Sequence, residues 1–309
     1  VAFYPLYPLL IRALSLGIFW DVSSGHLALC GLLISAVASL AAVTLLDRLY
    51  GIYLDTTGRH LGLALWVFCP TAVFLSVGYA ESLFIALVLG GFLRSSRRDW
   101  LGAGALIGLS CVTRPFGAVA YAALLAEYVG MRKRSGGLSR PWLAGLGLAL
   151  PALAISIHVA YQALYLQDPL ASVHAEQKNW NQHPLAPWSF PSYISRVITV
   201  AIGLRGYEYV IWFNYLCLMF GLILSARVFG SVRLSFGLKV YTGLTLLSIL
   251  CRSSEMSVAR FLMGVFPLFI VLAEWGSRGS PARALMLLLS FVTLDTLSTV
   301  LFVSNRPFF

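Results

Sequence analysis

Glu81, Arg114 and Arg260 are ionisable residues set at the ends of long apolar stretches, where a charge that is neither used nor paired is costly. Glu81, in the run Gly78-Tyr79-Ala80-Glu81-Ser82, admits two readings. It is a helix N-terminal carboxylate complementing the macrodipole, with Ser82 helping to cap, or an acid facing a cavity outside the membrane core. Arg114, followed by Pro115, either snorkels to headgroups or holds a phosphate through charge-assisted, bidentate bonds. Arg260 opens another apolar run just after Arg252 and Glu255. It belongs to a surface ion pair worth under about 1 kcal/mol, or to an anion clamp at a helix start. His174 and Lys178 share a face if their loop is helical, and His174 then serves as a ligand contact or as an ordinary hydrogen-bonding residue. Asp21, after Trp20, reads as a cap for a helix starting near Ser23 and Ser24. Asp295, deep in the last apolar run, is expected to pair with a neighbouring hydroxyl or base and has no assigned role. There is no Gly-rich phosphate loop, no Ser/His/Asp set and no metal-ligand spacing, so no cofactor is expected. Cys30, Cys69, Cys111, Cys217 and Cys251 all fall in apolar stretches and read as small buried hydrophobes.

These residues need elements that bring them to one place, and composition says of what kind. Only 11% of the 309 residues are charged, 59% are hydrophobic, and the mean hydropathy is +0.83. So few charges cannot cover a water-soluble globule, whose chain carries roughly 25%. Lipid as solvent resolves the imbalance and requires helices or a closed barrel. The apolar runs are continuous, without the alternation of barrel strands. The fold expected is therefore all-α, a polytopic transmembrane bundle. About ten spans are read, at 26–46, 60–76, 80–94, 100–113, 115–131, 142–166, 207–229, 236–251, 258–276 and 284–303. They are preceded by a shorter interfacial or re-entrant helix from Pro5 to Trp20.

The net charge of +10 sits in short clusters between these runs, which favours topology over nucleic acid as its cause. Arg48 and Arg59, Arg94 to Arg98, Arg132 to Arg140, Arg227 to Lys239, and Arg278 with Arg283 all fall on one side, read as cytoplasmic. The opposite side receives Glu81, the Thr113-Arg114-Pro115 turn, the long loop 167–191 and Arg252 to Ser257. Loops this long are often functional. Val1 also falls on that side, which predicts a further span upstream. Otherwise residues 1–309 read as one transmembrane domain, without internal repeats or a soluble module.

Five stretches, in order along nearly the whole chain, resemble the PIG-V (GPI mannosyltransferase 2) family of GT-C glycosyltransferases in its compact prokaryotic form. They are Phe3-Tyr4-Pro5-Leu6-Tyr7-Pro8-Leu9-Leu10-Ile11-Arg12; Pro70 to Ser76 followed by Tyr79, Glu81, Ser82, Leu83 and Phe84; Thr113-Arg114-Pro115; Asp168-Pro169-Leu170 with His174 and Gln177; and Ala259-Arg260-Phe261 leading to Phe266-Pro267-Leu268-Phe269. The resemblance implies an inverting, extracytoplasmic transfer of a sugar, usually mannose, from a polyprenyl-phosphate carrier to a lipid or glycan acceptor. It implies a GT-C fold and no obligatory nucleotide, while the short loops favour a prokaryotic cell membrane over the endoplasmic reticulum. Arg114, Arg260 and His174 are then expected at the donor phosphate, Glu81 at the acceptor or sugar hydroxyls, and Asp168, Gln177, Lys178 and Trp180 at the substrate, with Trp188 beside a sugar face. The family's principal catalytic aspartate belongs to a Trp-Asp motif ahead of the first signature, so its counterpart is expected upstream of Val1 and not at Trp20-Asp21. The rival class is a transporter or lipid flippase, expected to show inverted repeats and interrupted helices meeting at the midplane. A GT-C enzyme using another sugar is the nearer alternative.

Overall fold

The structure, a computed structural model, describes residues 4–135, 141–180, 208–252 and 257–304. Among these, all regular structure is helical, as the absence of alternation requires. In chain order the helices are α1 (Leu6–Phe19), α2 (Ser24–Tyr53), α3 (Thr56–Val67), α4 (Glu81–Ser96), α5 (Trp100–Cys111), α6 (Gly117–Ser135), α7 (Pro141–Leu166), α8 (Ala171–Trp180), α9 (Glu208–Gly230), α10 (Phe236–Leu250), α11 (Val258–Met263), α12 (Pro267–Ser277) and α13 (Pro281–Val303). A 3-10 turn, Ala72–Leu75, lies between α3 and α4. Four described helices are long and apolar enough to cross a membrane: α2, α7, the Val210–Gly230 part of α9, and α13. α1, α5, α10 and α12 are shorter apolar helices.

The shorter α4 and α12 form the middle, and the long α2, α7 and α13 lie towards the outside. α4 is apolar nearly all round and buries both faces, from Phe84 and Ile85 to Phe92 and Leu93. α12 does the same from Pro267 to Ala273. Helices apolar on every side belong inside a bundle. α4 packs on α2, α5 and α6, and α12 packs on α3, α9, α10 and α13. The two halves meet through Phe92, whose ring lies 5.6 Å from Tyr241 and 5.9 Å from Phe266. α13 is covered over only a small part of its surface, as suits a helix whose apolar side chains face lipid.

Two segments read as single spans are broken. The 60–76 run ends as a helix at Val67 and continues as the 3-10 turn, because Pro70 cannot supply a helical N–H and biases the residue before it away from helix. The 258–276 run is split between α11 and α12 around Gly264, Val265 and Phe266, again just ahead of a proline. The carbonyls released at the second break are satisfied by distant, fully buried side chains. Trp66 Nε1 donates to the Met263 carbonyl at 3.1 Å, Tyr241 Oη to Gly264 at 3.1 Å and Tyr50 Oη to Phe266 at 3.4 Å. A buried carbonyl without a donor is costly, so these three hold the break in place.

Three other expectations turn out differently. The N-cap of α2 is Ser23, while Asp21 accepts the Val22 N–H at 2.7 Å and meets His26 Nδ1 at 3.1 Å, fixing the turn ahead of the helix. Ser82 does not cap α4: the N-cap is Ala80 without a side-chain bond, and the Ser82 hydroxyl is buried with no partner among the described residues. Asp295 Oδ1 likewise has no described partner, so the pairing expected of it is not seen there.

α5 and α7 touch backbone to backbone. A Cβ added at Gly104 would overlap the Gly147 carbonyl, and one added at Gly147 would overlap the Trp100 carbonyl. Small residues permit such approaches between membrane helices. Gly147→Val is therefore expected to lower the thermal midpoint in detergent by an amount reflecting about 1–3 kcal/mol of overpacking. Gly145→Ala, whose methyl meets nothing within 4 Å, should not lower it; equal loss from both variants would refute the close packing.

Candidate functional site

Glu81 opens α4, and Gly78, at φ +74°, turns the chain so that Tyr79 and Glu81 face the same end of the bundle. Arg114 follows α5 in a turn stabilised by Thr113 Oγ1 donating to the Leu109 carbonyl at 2.7 Å. The N-terminal segment is tied to the same turn by the Leu6 N–H on the Val112 carbonyl at 3.0 Å. Arg260 is carried by α11, which is pinned at two points. Asn214 Oδ1 accepts the Ala259 N–H at 2.9 Å, and Thr71 Oγ1 donates to the Ala259 carbonyl at 3.3 Å.

The fold brings these three residues together. Arg114 forms an ion pair with Glu81 Oε1, and Arg260 Nε lies 3.2 Å from the same oxygen. Their side chains are only 16%, 18% and 6% exposed for Arg114, Arg260 and Glu81, too little for the solvated surface pair considered above. The pairing expected between Arg260 and Glu255 falls on residues outside the described ones. Aromatic rings hold the guanidinium groups: Arg260 Cζ lies 5.0 Å from the Phe74 centroid, 5.7 Å from Tyr79 and 5.4 Å from Phe261. Arg114 and Arg252 lie over Phe261 at 5.7 and 4.8 Å. Such cation–π contacts favour a desolvated cation.

Arg252 is the residue whose part was missed. The pair expected of it with Glu255 involves a residue outside the described ones; the structure sets Arg252 on the Phe261 ring beside the Glu81 cluster. Burial pushes its guanidinium below the ordinary arginine value, Glu176 opposes that shift, and Arg114 and Arg260 add to it. Counting three guanidinium groups against Glu81 and Glu176, the cluster carries a net charge of +1. It also has unspent donor capacity, since Arg260 Nε and Arg252 Nε are buried without an aligned hydrogen-bond partner among the described residues. Buried, cationic and incompletely satisfied, the arrangement suits a small anion such as phosphate.

The other expected residues stand apart from this contact. Asp168 Oδ2 is 2.6 Å from His174 Nδ1, and its Oδ1 accepts the Leu170 N–H at 3.0 Å. Asp168 thus starts α8, and His174 is exposed and engaged with it. Gln177 is half-buried and Lys178 exposed on α8, while the Trp180 side chain and Trp188 lie outside the described residues. α8 is held over the bundle by Gln162, whose Oε1 accepts the Ser172 N–H at 2.8 Å and whose Nε2 is 2.7 Å from His158 Nε2. The Tyr4 ring lies 4.7 Å from that of His158 in a tilted contact and its hydroxyl bonds to Ser172, closing the N-terminal segment against α7 and α8. Among the described residues no three His, Cys, Asp or Glu side chains converge as metal ligands.

The His174 hydrogen bond holds Asp168 below the ordinary carboxylate range. A lowered folded value means that the contribution of Asp168 is present above about pH 4 and is lost as pH falls through the lowered value. Asp168→Ala is expected to speed amide exchange severalfold across α8 at neutral pH, with the remainder of the bundle unchanged. Unaltered exchange in α8 would remove this residue from its anchoring role.

Compared with protein-family models, curated proteins and solved structures, the chain gives no match.

Proposed function

We propose that this chain is a polytopic membrane glycosyltransferase of about ten spans, most simply a mannosyltransferase, that takes its sugar from a polyprenyl-phosphate carrier on the extracytoplasmic face of a prokaryotic membrane. The observation that carries the reading is the buried Glu81, Arg114, Arg260 and Arg252 cluster. Three of its members come from separate stretches that resemble the PIG-V family, and all four fall on the side opposite the basic clusters.

In this reading an acceptor hydroxyl attacks the anomeric carbon while the bond from that carbon to the carrier phosphate breaks. Negative charge develops on the leaving phosphate, and Arg260 and Arg114 stabilise it where water is excluded. Arg252 adds its charge from the rim. Glu81 fixes the guanidinium groups and accepts hydrogen bonds from sugar or acceptor hydroxyls. The resemblance assigns the acceptor proton to an aspartate ahead of the Phe3 to Arg12 signature, acting as general base. An apolar cavity of about 370 Å³, lined by Phe220, Leu262, Phe269, Phe291 and Leu294, adjoins α11 and offers a place for the carrier's hydrocarbon tail. Asp168, Gln177 and Lys178, on or before α8, are residues that the resemblance assigns to the substrate, and His174 is assigned to the donor phosphate.

One observation favours the transporter reading instead. The two interrupted segments meet, through Trp66 on Met263 and Thr71 on Ala259, as broken helices do in transporters. Proteoliposomes of the full-length protein, supplied with radiolabelled polyprenyl-phosphate mannose, separate the two. Label moved onto a lipid or glycan acceptor supports transfer. Intact labelled carrier moved between leaflets, without a new glycosidic bond, supports transport.

A further inference from the structure

The end of the bundle opposite the Glu81 cluster holds a second concave site of different chemistry. A cleft of about 460 Å³ is lined by Arg227 at the end of α9, Arg233 in the following turn, Arg278 at the end of α12 and Arg283 in α13, together with Glu274 and Trp275. Topology requires basic residues at this end, but it does not require four of them, from separate elements, to converge on one hollow. Glu274 offsets one charge only: its Oε1 lies 2.7 Å from Arg278 and 3.6 Å from Arg233. Four guanidinium groups against one carboxylate leave a net +3.

Part of the cleft is pre-positioned. Arg283 lies over the Trp275 ring at 4.8 Å and donates to the Trp275 carbonyl at 3.3 Å. Trp275 is 39% exposed, an amphipathic ring of the kind that settles at headgroup depth. Arg227 and Arg233 line the cleft and are exposed. α13, one wall of the cleft, presents a largely uncovered apolar surface beyond it. A charged hollow continuous with a largely uncovered apolar helix matches a molecule that is anionic at one end and apolar at the other.

We infer that this cleft binds the phosphodiester headgroup of an anionic glycerophospholipid, with Arg227, Arg233, Arg278 and Arg283 around the phosphate and the acyl chains along α13. The site is independent of the sugar-transfer reading. A free phosphate shares the headgroup chemistry but lacks the chains, and the test keeps the two apart.

The full-length protein in detergent is titrated with dioleoyl phosphatidylglycerol, with dioleoyl phosphatidylcholine and with inorganic phosphate, and bound adducts are counted by native mass spectrometry. Wild-type protein is expected to retain one phosphatidylglycerol with about tenfold or greater preference over phosphatidylcholine, at a phosphate concentration that does not compete. The Arg227→Gln/Arg233→Gln double variant should lose that preference. The Arg132→Gln/Arg134→Gln variant removes the same charge from the exposed end of α6 and should keep it. Equal retention of both lipids by wild type, displacement by free phosphate, or equal loss in both double variants overturns the inference. The wild-type arms decide it even if a variant fails to fold.

Discussion

Arg260→Ala in the full-length protein is expected to lower the turnover of sugar transfer about 10²–10³-fold, the range found when one preorganised donor is removed from a developing negative charge. The size follows from how the residue is held. α11 is pinned by Asn214 and Thr71, and the guanidinium is ringed by Phe74, Tyr79 and Phe261. It therefore needs little reorganisation when charge develops, and the low-dielectric surroundings strengthen its effect. The loss should fall on kcat more than on KM, because the carrier phosphate gains charge only as the sugar departs. Arg260→Lys keeps the charge without the fork and should recover only part of the rate. The substitution leaves Arg114 to neutralise Glu81, so the fold is expected to survive, which a thermal melt in detergent checks. Turnover within twofold of wild type in a folded Arg260→Ala protein would end the proposed phosphate role.

Much of the bundle was legible because hydropathy is written along the chain. The ends of α4 follow from Glu81 at one side and Arg94 to Arg98 at the other, and the structure has the helix from Glu81 to Ser96. The breaks around Pro70 and Pro267 were harder to see. Gly264, Val265 and Phe266 are as acceptable to an apolar window as a helix would be, so the segment read as one span. What stabilises the break lies far away in sequence, at Trp66, Tyr50 and Tyr241, each of which looks like any core aromatic until its polar atom is located. The site divides in the same way. The basic clusters alone put Glu81, Arg114 and Arg260 on one face, and the structure joins them. His174 stood in the same motif as Asp168, and that local partner, close along the chain, is the one it meets. For Arg252 the acid nearest in sequence, Glu255, lies outside the described residues, and nothing in the local pattern marked its contact with the Phe261 ring.

Removing the carboxylate from the cluster tests its electrostatics without any assay of sugar transfer. Glu81→Ala leaves Arg114, Arg260 and Arg252 facing one another in a buried site, and loss of one partner from a buried ion pair costs about 3–5 kcal/mol. The thermal midpoint in detergent should fall by about 5–10 °C on that basis. Glu81→Gln retains the shape and the hydrogen-bonding oxygen, and it raises the net charge of the whole cluster, Glu176 included, from +1 to +2. Inorganic phosphate, at constant ionic strength, should then raise the midpoint of Glu81→Gln more than that of wild type, because an anion bound to the folded state stabilises it by mass action and the variant binds it more tightly. Chloride at the same ionic strength should have no such differential effect. A phosphate response identical in the two proteins would mean that the arginines are satisfied by Glu81 and their surroundings alone. The cluster would then be a structural lock between α4, α5 and α11, and the case for a phosphate-bearing donor would lose its principal support.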